Sequence, residues 1–455
     1  MKVEIKDLGY VKNIKLDLDK NLTILCGPNN TGKTYVAYAI YGLMRFRSDI
    51  SKSQKISDQV KNIITKGQIE LDIVEFLKEH SSLYLDTIGK NYVKQLSKVF
   101  ASDDSSFEKT TLHIEIGDIE NLRSKIFAQK INQEIGIRNS ISITIRKDIN
   151  SSILTCILIE NESNPKQEIP TSILLDFIAN RIFNLLIDFI FPNTYIAPAE
   201  RIAINIFSKE LSLKRVVLVD KLLELKEEGK DDDIFDYARR RATRYPSPIR
   251  DSLEISEDLN NYKKNKSEFE EFANEIEKDI LKGQVLISKD GDVQFKPEKA
   301  KSLRLPIHLT ASVVKSLSNL VIYFRHLAIA GDFIIIDEPE LNLHPDNQVI
   351  IARVLAKIAN KGFKLLISTH SDYIIREINN LIMLKNNPKL ANKYKYDTNT
   401  LLSYQQIGAI LFHYNTKKCI NLEVNDTGFE IETIDEVINE LNERSQNLFF
   451  NSEIE

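Results

Sequence analysis

The apolar and polar positions of this chain change period several times, and each change marks an element. Over the first 27 residues they alternate in "KVEIKDL" and "NIKLDL", and then run unbroken in "LTILCG". Alternation predicts half-buried strands, and a short unbroken apolar run predicts a strand covered on both faces. From Gly32 to about Phe46 the spacing becomes helical. Residues 48–105 read as charged helices and loops. Three further alternating runs, "TTLHIEI", "SISITIR" and "SILTCILIE", predict a small antiparallel β-lobe. The apolar stretch "SILLDFIANRIFNLLIDFIF" carries Asp176, Asn180, Arg181 and Asp188 at helical spacing, which predicts a buried amphipathic helix rather than a membrane span.

In the second half, a short buried strand "TYIAP" leads into "AERIAINIF". Residues 210–282 are charged and helical in pattern, without the sustained heptads of a long coiled coil. "QVLISKDGDVQF" predicts a hairpin turning at Asp290-Gly291. A helix, "SVVKSLSNLVIYFRHLAIA", delivers the chain to an apolar strand, "DFIIIDE". A helix opened by Pro345 and stopped near Gly362 follows, then the strand "FKLLIST" and a helix from Asp372. A hairpin is expected across "FHYNTKKCINLEV". The last helix is expected to open on the capping box Thr433-Ile434-Asp435-Glu436, with Ile434, Val437, Ile438 and Leu441 on one face.

Composition bounds this picture. A chain of 455 residues suggests about three domain-sized units, or one core with large insertions. The net charge of -4 means that any basic surface is local. The sharpest basic cluster is Arg239, Arg240, Arg241 and Arg244 in "ARRRATR". It reads as a candidate nucleic-acid contact or, more simply, as a solvated face balancing Asp231, Asp232 and Asp233. Cys26, Cys156 and Cys419 are far apart and form no metal-like pair, which fits a reducing cytoplasm. Lys2, Glu4, Lys6 and Asp7 argue against a secretory leader, so a cytoplasmic protein without membrane contact is expected.

The strongest chemical signal lies between the first apolar strand and the first helix. Gly27-Pro28-Asn29-Asn30-Thr31-Gly32-Lys33-Thr34 matches GxxxxGK[ST] in full, with strand and helix flanking it as the pattern requires. Its glycines let backbone N–H groups converge on phosphate, and the helix N-terminus adds positive potential. The expected ATP contacts are Gly27, Asn29, Asn30, Thr31, Gly32, Lys33, Thr34 and Tyr35, with the Thr34 hydroxyl on Mg²⁺. In "FIIIDEPELNLHP" a buried strand brings Asp337 to its carboxyl end, as a direct or indirect Mg²⁺ ligand. Glu338 follows as the candidate general base. A lone Asp-Glu after an apolar run is ordinarily a surface turn; its pairing with the loop makes it chemical. In "LLISTHSD" a second strand ends at His370, placed for a γ-phosphate contact.

In this order, "GPNNTGKT", "IIIDEPE" and "STHS" resemble the ABC-type ATPases, on the non-transporter branch with SMC-like, RecF-like and OLD-family proteins. "GPNNTGKT" and "DEPELNLHP" are particularly similar to the ATPases of anti-phage systems such as Septu and PARIS. The resemblance covers roughly residues 1–47, 193–207 and 284–385. It implies a nucleotide sandwiched between two protomers, each giving a signature motif to the other. That motif normally opens a helix with Ser and Gly. Here "LTASVVKSLSNL" keeps hydroxyls at Thr310 and Ser312 and a charge at Lys315, but has no glycine, and a simple packing helix is the other reading. By the same resemblance His344 falls in a loop at the dimer interface, and Glu200 and Arg201 fall at a strand end near the site.

The expected fold class is therefore α/β: an ABC-type P-loop ATPase core of mixed sheet and flanking helices, with a small antiparallel β-lobe and helical insertions. Core segments are expected at 1–47, 193–209 and 284–385. Insertions are expected at 48–192 and 210–283, with a C-terminal hairpin and helix at 386–455. The resemblance implies a slow ATPase that forms a homodimer or higher homo-oligomer through its ATP sites. It would control a separate effector, a nuclease, in prokaryotic defence, since no nuclease motif occurs in this chain. The alternatives are a DNA-maintenance ATPase, a transporter subunit, and a module that holds nucleotide without hydrolysing it. The first lacks its coiled coil or basic groove. The second lacks its signature glycine, and most of the chain separates Thr34 from Asp337.

Overall fold

The computed structural model describes residues 1–46, 54–137, 141–160, 170–208, 245–300, 302–414 and 417–452. Its centre is a six-stranded sheet in the order β16-β15-β3-β14-β13-β9. The members are β3 (Leu22–Cys26), β9 (Thr194–Ala197), β13 (Phe333–Asp337), β14 (Lys364–Thr369), β15 (Ile407–Phe412) and β16 (Cys419–Leu422). All neighbours are parallel except β16, which returns antiparallel along β15. β3 is buried at all five positions, as an unbroken apolar run requires when both faces are covered.

Side chains alternate across this sheet and feed two cores. Leu25, Ile335, Leu366 and Ile196 join one cluster with the helices Lys33–Arg45 and Thr171–Ile190. Ile24, Ile334, Ile336, Leu365 and Ile367 join the other, with the helices Ser312–His326, Pro345–Asn360 and Asp372–Lys385. Register then decides what meets at the carboxyl edge. Cys26 pairs with Thr369, Asp337 with Ser368, and Ile336 with Ala197. The loops that leave β3, β9, β13 and β14 therefore emerge side by side, where parallel sheets bind ligands.

The α/β fold expected from the sequence is the one observed, with differences in which strand joins which sheet. β1 (Lys2–Leu8) pairs with β2 (Val11–Asp17) and also with β5 (Thr111–Glu115). "TTLHIEI" thus belongs to the N-terminal sheet and not to the small lobe. Its Leu112 and Ile114 face Ile5 and Val3 in register, and all four are buried. The lobe is four-stranded, in the order β4-β8-β7-β6, from β4 (Gln68–Asp72), β6 (Ile131–Ile137), β7 (Ile141–Lys147) and β8 (Ile153–Glu160). β4 and β6 escape a sequence reading because "QIELD" alternates over only five residues, and in "INQEIGI" Gln133 interrupts the apolar phase set by Ile131, Ile135 and Ile137.

β15 and β16, from the expected C-terminal hairpin, extend the central sheet. A third small sheet holds β10 (Gly283–Ile287), β11 (Val293–Pro297) and β12 (Leu305–Pro306), and Gly291 turns its hairpin at φ 83°. The last helix, Glu432–Ser452, starts one residue before the expected cap. Ile434, Val437 and Ile438 of its expected apolar face lie outside the described side chains, and Leu441 is exposed. Among the described residues no helix is long and apolar enough to cross a membrane.

Candidate active site

The loop after β3 is shaped by its glycines. Gly27 has φ 125°, and a Cβ there would lie 2.4 Å from the Phe412 carbonyl oxygen on β15. Gly32 has φ 99°, and a Cβ would lie 2.6 Å from a Val11 methyl. Only glycine fits both the torsions and the space. Within the loop, Thr31 Oγ1 donates to the Pro28 carbonyl at 2.8 Å. Lys33 Nζ donates to the carbonyls of Gly27 at 2.9 Å and Pro28 at 2.7 Å, so the amine lies folded over the loop. Burial lowers its pKa, opposed by Asp337 and Glu338 nearby. The helix Lys33–Arg45 opens on Gly32 with no side-chain cap, which leaves its first N–H groups free for an anion. Asn29 and Asn30 are exposed on the loop. Tyr35 is also exposed, with its ring stacked on Phe100 at 4.9 Å.

Asp337 ends β13 with no exposure at all. Thr34 Oγ1 donates to its Oδ2 at 2.9 Å, and Ser368 Oγ donates to its Oδ1. Burial pushes the Asp337 carboxyl up, and the hydrogen bonds from Ser368 and Thr34 pull it back. Two residues far apart in sequence are thus joined through one hydroxyl and one carboxylate. This pair suits a hard divalent cation completed by phosphate oxygens and water. Among the described residues no group of three or more His, Cys, Asp or Glu could hold a metal alone.

Glu338 adopts φ 53°, a left-handed conformation rare for a non-glycine residue. Its N–H donates to the Ser368 carbonyl at 3.0 Å and to Ser368 Oγ at 3.2 Å. His370 Nδ1 lies 3.9 Å from Glu338 Oε1 and 3.5 Å from Glu340 Oε1. Glu340, which the sequence reading passed over, is 7% exposed. Its Oε1 accepts from Thr369 Oγ1 and from the His370 N–H, both at 2.9 Å, while Oε2 is buried without a partner. Its signal was available: a second carboxylate two residues past the first, in a segment that a proline keeps out of β13.

The pair at the end of β9 comes to the same edge. Tyr38 donates to Glu200 Oε2 at 2.7 Å. Arg201 is 2% exposed and donates to the carbonyls of Asp337 and Glu338, both at 2.6 Å. Burial lowers its pKa, opposed first by Asp337 and then by Glu340. The structure therefore brings Lys33, Thr34, Asp337, Glu338 and His370 together, and adds Ser368, Glu340, Glu200 and Arg201. Thr310 and Ser312 stand apart. Thr310 Oγ1 donates to the Ile307 carbonyl at 2.6 Å, and Ser312 is exposed at the start of its helix. Among the described residues, neither hydrogen-bonds to the phosphate loop. His344 is exposed and contacts Asp346 at 2.6 Å. Arg239, Arg240, Arg241 and Arg244 lie outside the described residues.

One family, described as the AAA ATPase domain, matches residues 1–375. Among solved structures, the chain is similar to an Smc head domain with an extended coiled coil, bound to the C-terminal domain of ScpA, from Pyrococcus furiosus. That likeness has 13% identity and a TM-score of 0.31, covering 97% of this chain and 98% of the other. An Smc head bound to the C-winged helix domain of ScpA gives 13% identity and a TM-score of 0.35, over 93% and 98%. An SMC head domain from Thermotoga maritima gives 10% identity and a TM-score of 0.30, again over 93% and 98%. No curated protein matches the chain. At such scores the fold assignment rests on the chain's own topology.

Proposed function

The chain belongs to the AAA ATPase domain family, and from that premise we propose that its ATP site works as a switch shared between two copies of the chain. The observation that carries this reading is the Thr34–Asp337 hydrogen bond of 2.9 Å, which joins the phosphate loop to the strand end that precedes Glu338. Backbone N–H groups of the loop and helix start, from Asn29 to Thr34, and the Lys33 amine bind the phosphates. Thr34 and Asp337 would hold Mg²⁺, which when bound would neutralise charge on the phosphate oxygens. Glu338 takes a proton from the attacking water, and His370 faces the terminal phosphate. Thr310 and Ser312, at the free end of the Ser312–His326 helix, serve the site of the second copy. Hydrolysis then separates the copies.

The output is control of a separate effector, a nuclease, in prokaryotic anti-phage defence. Support for that role comes from the likeness of "GPNNTGKT" and "DEPELNLHP" to such systems, and from the lack of a nuclease motif in the chain.

The test is Glu338→Gln. Hydrolysis is expected to fall about 10²–10⁴-fold, with ATP affinity kept and an ATP-dependent oligomer accumulating in sedimentation. Normal turnover by the variant removes Glu338 as the base, and a monomer at saturating ATP removes the shared site. Preferential, salt-dependent binding of duplex DNA by the oligomer would redirect the reading to a DNA-maintenance ATPase.

A further inference from the structure

We infer that Arg201 is a positioning residue that sets the backbone of Glu338 and ties it to the Ser312–His326 helix, an inference that rests on Glu338 being the base. The side chain has five contacts and no carboxylate among them. Nη1 donates to the carbonyls of Pro198 at 3.0 Å and Asp337 at 2.6 Å, and Nη2 donates to the Glu338 carbonyl at 2.6 Å. Nε donates to Ser316 O at 3.0 Å and to Ser316 Oγ at 3.1 Å. A buried guanidinium usually faces a carboxylate, because desolvating a charge is costly. This one spends its donors on neutral acceptors from three separate elements: the end of β9, the end of β13, and the Ser312–His326 helix.

What it grips explains the arrangement. Glu338 at φ 53° holds a conformation that costs a non-glycine residue free energy and persists only where its surroundings impose it. Ser368 fixes the Glu338 N–H from one side, and Arg201 fixes its carbonyl from the other. The direction in which the Glu338 side chain leaves the backbone is thereby set by hydrogen bonds to its main chain, beside the 3.9 Å approach of His370 Nδ1 to its Oε1. The other end of the grip is equally particular. One turn after Arg201, Asn205 donates to the Lys315 carbonyl at 2.6 Å, so the helix over residues 201–208 holds two successive residues of the Ser312 helix. Any shift of that helix pulls on Arg201 and hence on the peptide that orients Glu338. A planar fork with fixed donor directions can do this, and a lysine ammonium cannot.

The experiment is Arg201→Lys in the full chain, alone and combined with Glu338→Gln. A small displacement of a catalytic group costs about 10²-fold. The lysine variant is therefore expected to lose about that factor in kcat, while KM for ATP stays within about threefold. In the Glu338→Gln background the same change is expected to cost nothing further, because two residues acting through one step are not additive. A kcat near the native value overturns the inference, and so does a full additional loss in the double variant. If the lysine variant fails to unfold cooperatively, Ser316→Ala tests the far end of the grip. It removes one acceptor and is expected to lower kcat severalfold at unchanged ATP affinity; an unchanged kcat overturns the inference. The underlying reading fails separately. Normal hydrolysis by Glu338→Gln alone sinks the base assignment, whereas a dead Glu338→Gln beside a native-like Arg201→Lys sinks only the positioning role.

Discussion

Two helix starts invite comparison, the one at Lys33 and the one at Ser312. Neither is capped by a side chain: the first opens on Gly32 in a left-handed conformation, the second on Ala311. A third helix nearby, Asp372–Lys385, is capped in the ordinary way, with Ser371 Oγ accepting from the Ile374 N–H at 3.2 Å. An uncapped helix start leaves backbone donors unsatisfied, and sequences usually avoid this with Ser, Thr, Asp or Asn. The two uncapped starts differ in what surrounds them. At Lys33 every element of an anion site comes from the same chain, down to the lysine amine resting on loop carbonyls where phosphate would draw it out. At Ser312 the flanking Leu309 is 65% exposed and Thr310 bonds back to its own turn. The phosphate loop is finished within the chain, while the Ser312 helix start faces outward, which is the arrangement that the proposed sharing of the site between two copies requires.

The largest way to break this comparison is on the finished side. Lys33→Ala removes the charge-assisted contacts to phosphate and is expected to weaken ATP binding about a hundredfold or more in isothermal titration. Retained affinity would show that the folded-over amine is structural and that the two helix starts are alike.

Asp337 sharpens the contrast through pH. Its pKa is raised above the ordinary carboxylate value of 3.8, with burial the largest cause. In the ligand-free chain, ionised Asp337 therefore costs stability. The cost begins as pH rises past the unfolded value and is complete above the folded one. Asp337→Asn relieves it, since the amide keeps an acceptor for Ser368 and can donate to the Thr34 hydroxyl. The variant is expected to melt above the native chain near neutral pH, with the difference shrinking to nothing as pH falls below about 4, and to hydrolyse ATP poorly. An offset independent of pH would sink the burial account. Among the described residues no buried carboxylate is hydrogen-bonded to the first turn of the Ser312 helix, so variants at that helix start should show no such pH dependence.

How much of this was legible in the sequence follows from what each residue does. The loop, Asp337, Glu338 and His370 were legible because a local pattern carried them: glycines at fixed spacing, then a polar residue ending an apolar run. Strand register did the rest, and it was implicit in "FIIID" and "LLIST" being buried parallel strands. Arg201 and Glu340 were less legible, since their importance lies in backbone carbonyls and hydroxyls they meet across the fold. Nothing in "AERI" says that a guanidinium will grip the peptides of residues 337 and 338. β5 was misplaced for a related reason. Its alternation fixes which face is apolar, and pairing with β1 was decided by complementary buried positions outside its own segment.

The smallest effect probes the outward side alone. Ala311 has φ -63° and ψ 153°, already the backbone of a helix cap. Ala311→Asp gives that position a side-chain acceptor and is expected to add about 1 kcal/mol of stability, read from the urea midpoint. The same carboxylate occupies the free N–H groups and repels an incoming phosphate. In the Glu338→Gln background, ATP-dependent oligomerisation should therefore weaken while ATP affinity of the single chain stays constant. Stability and association are expected to move in opposite directions, which no general loss of folding can imitate. If both rise together, the start of the Ser312 helix is only an uncapped packing helix, and the second half of the site must come from elsewhere on the surface.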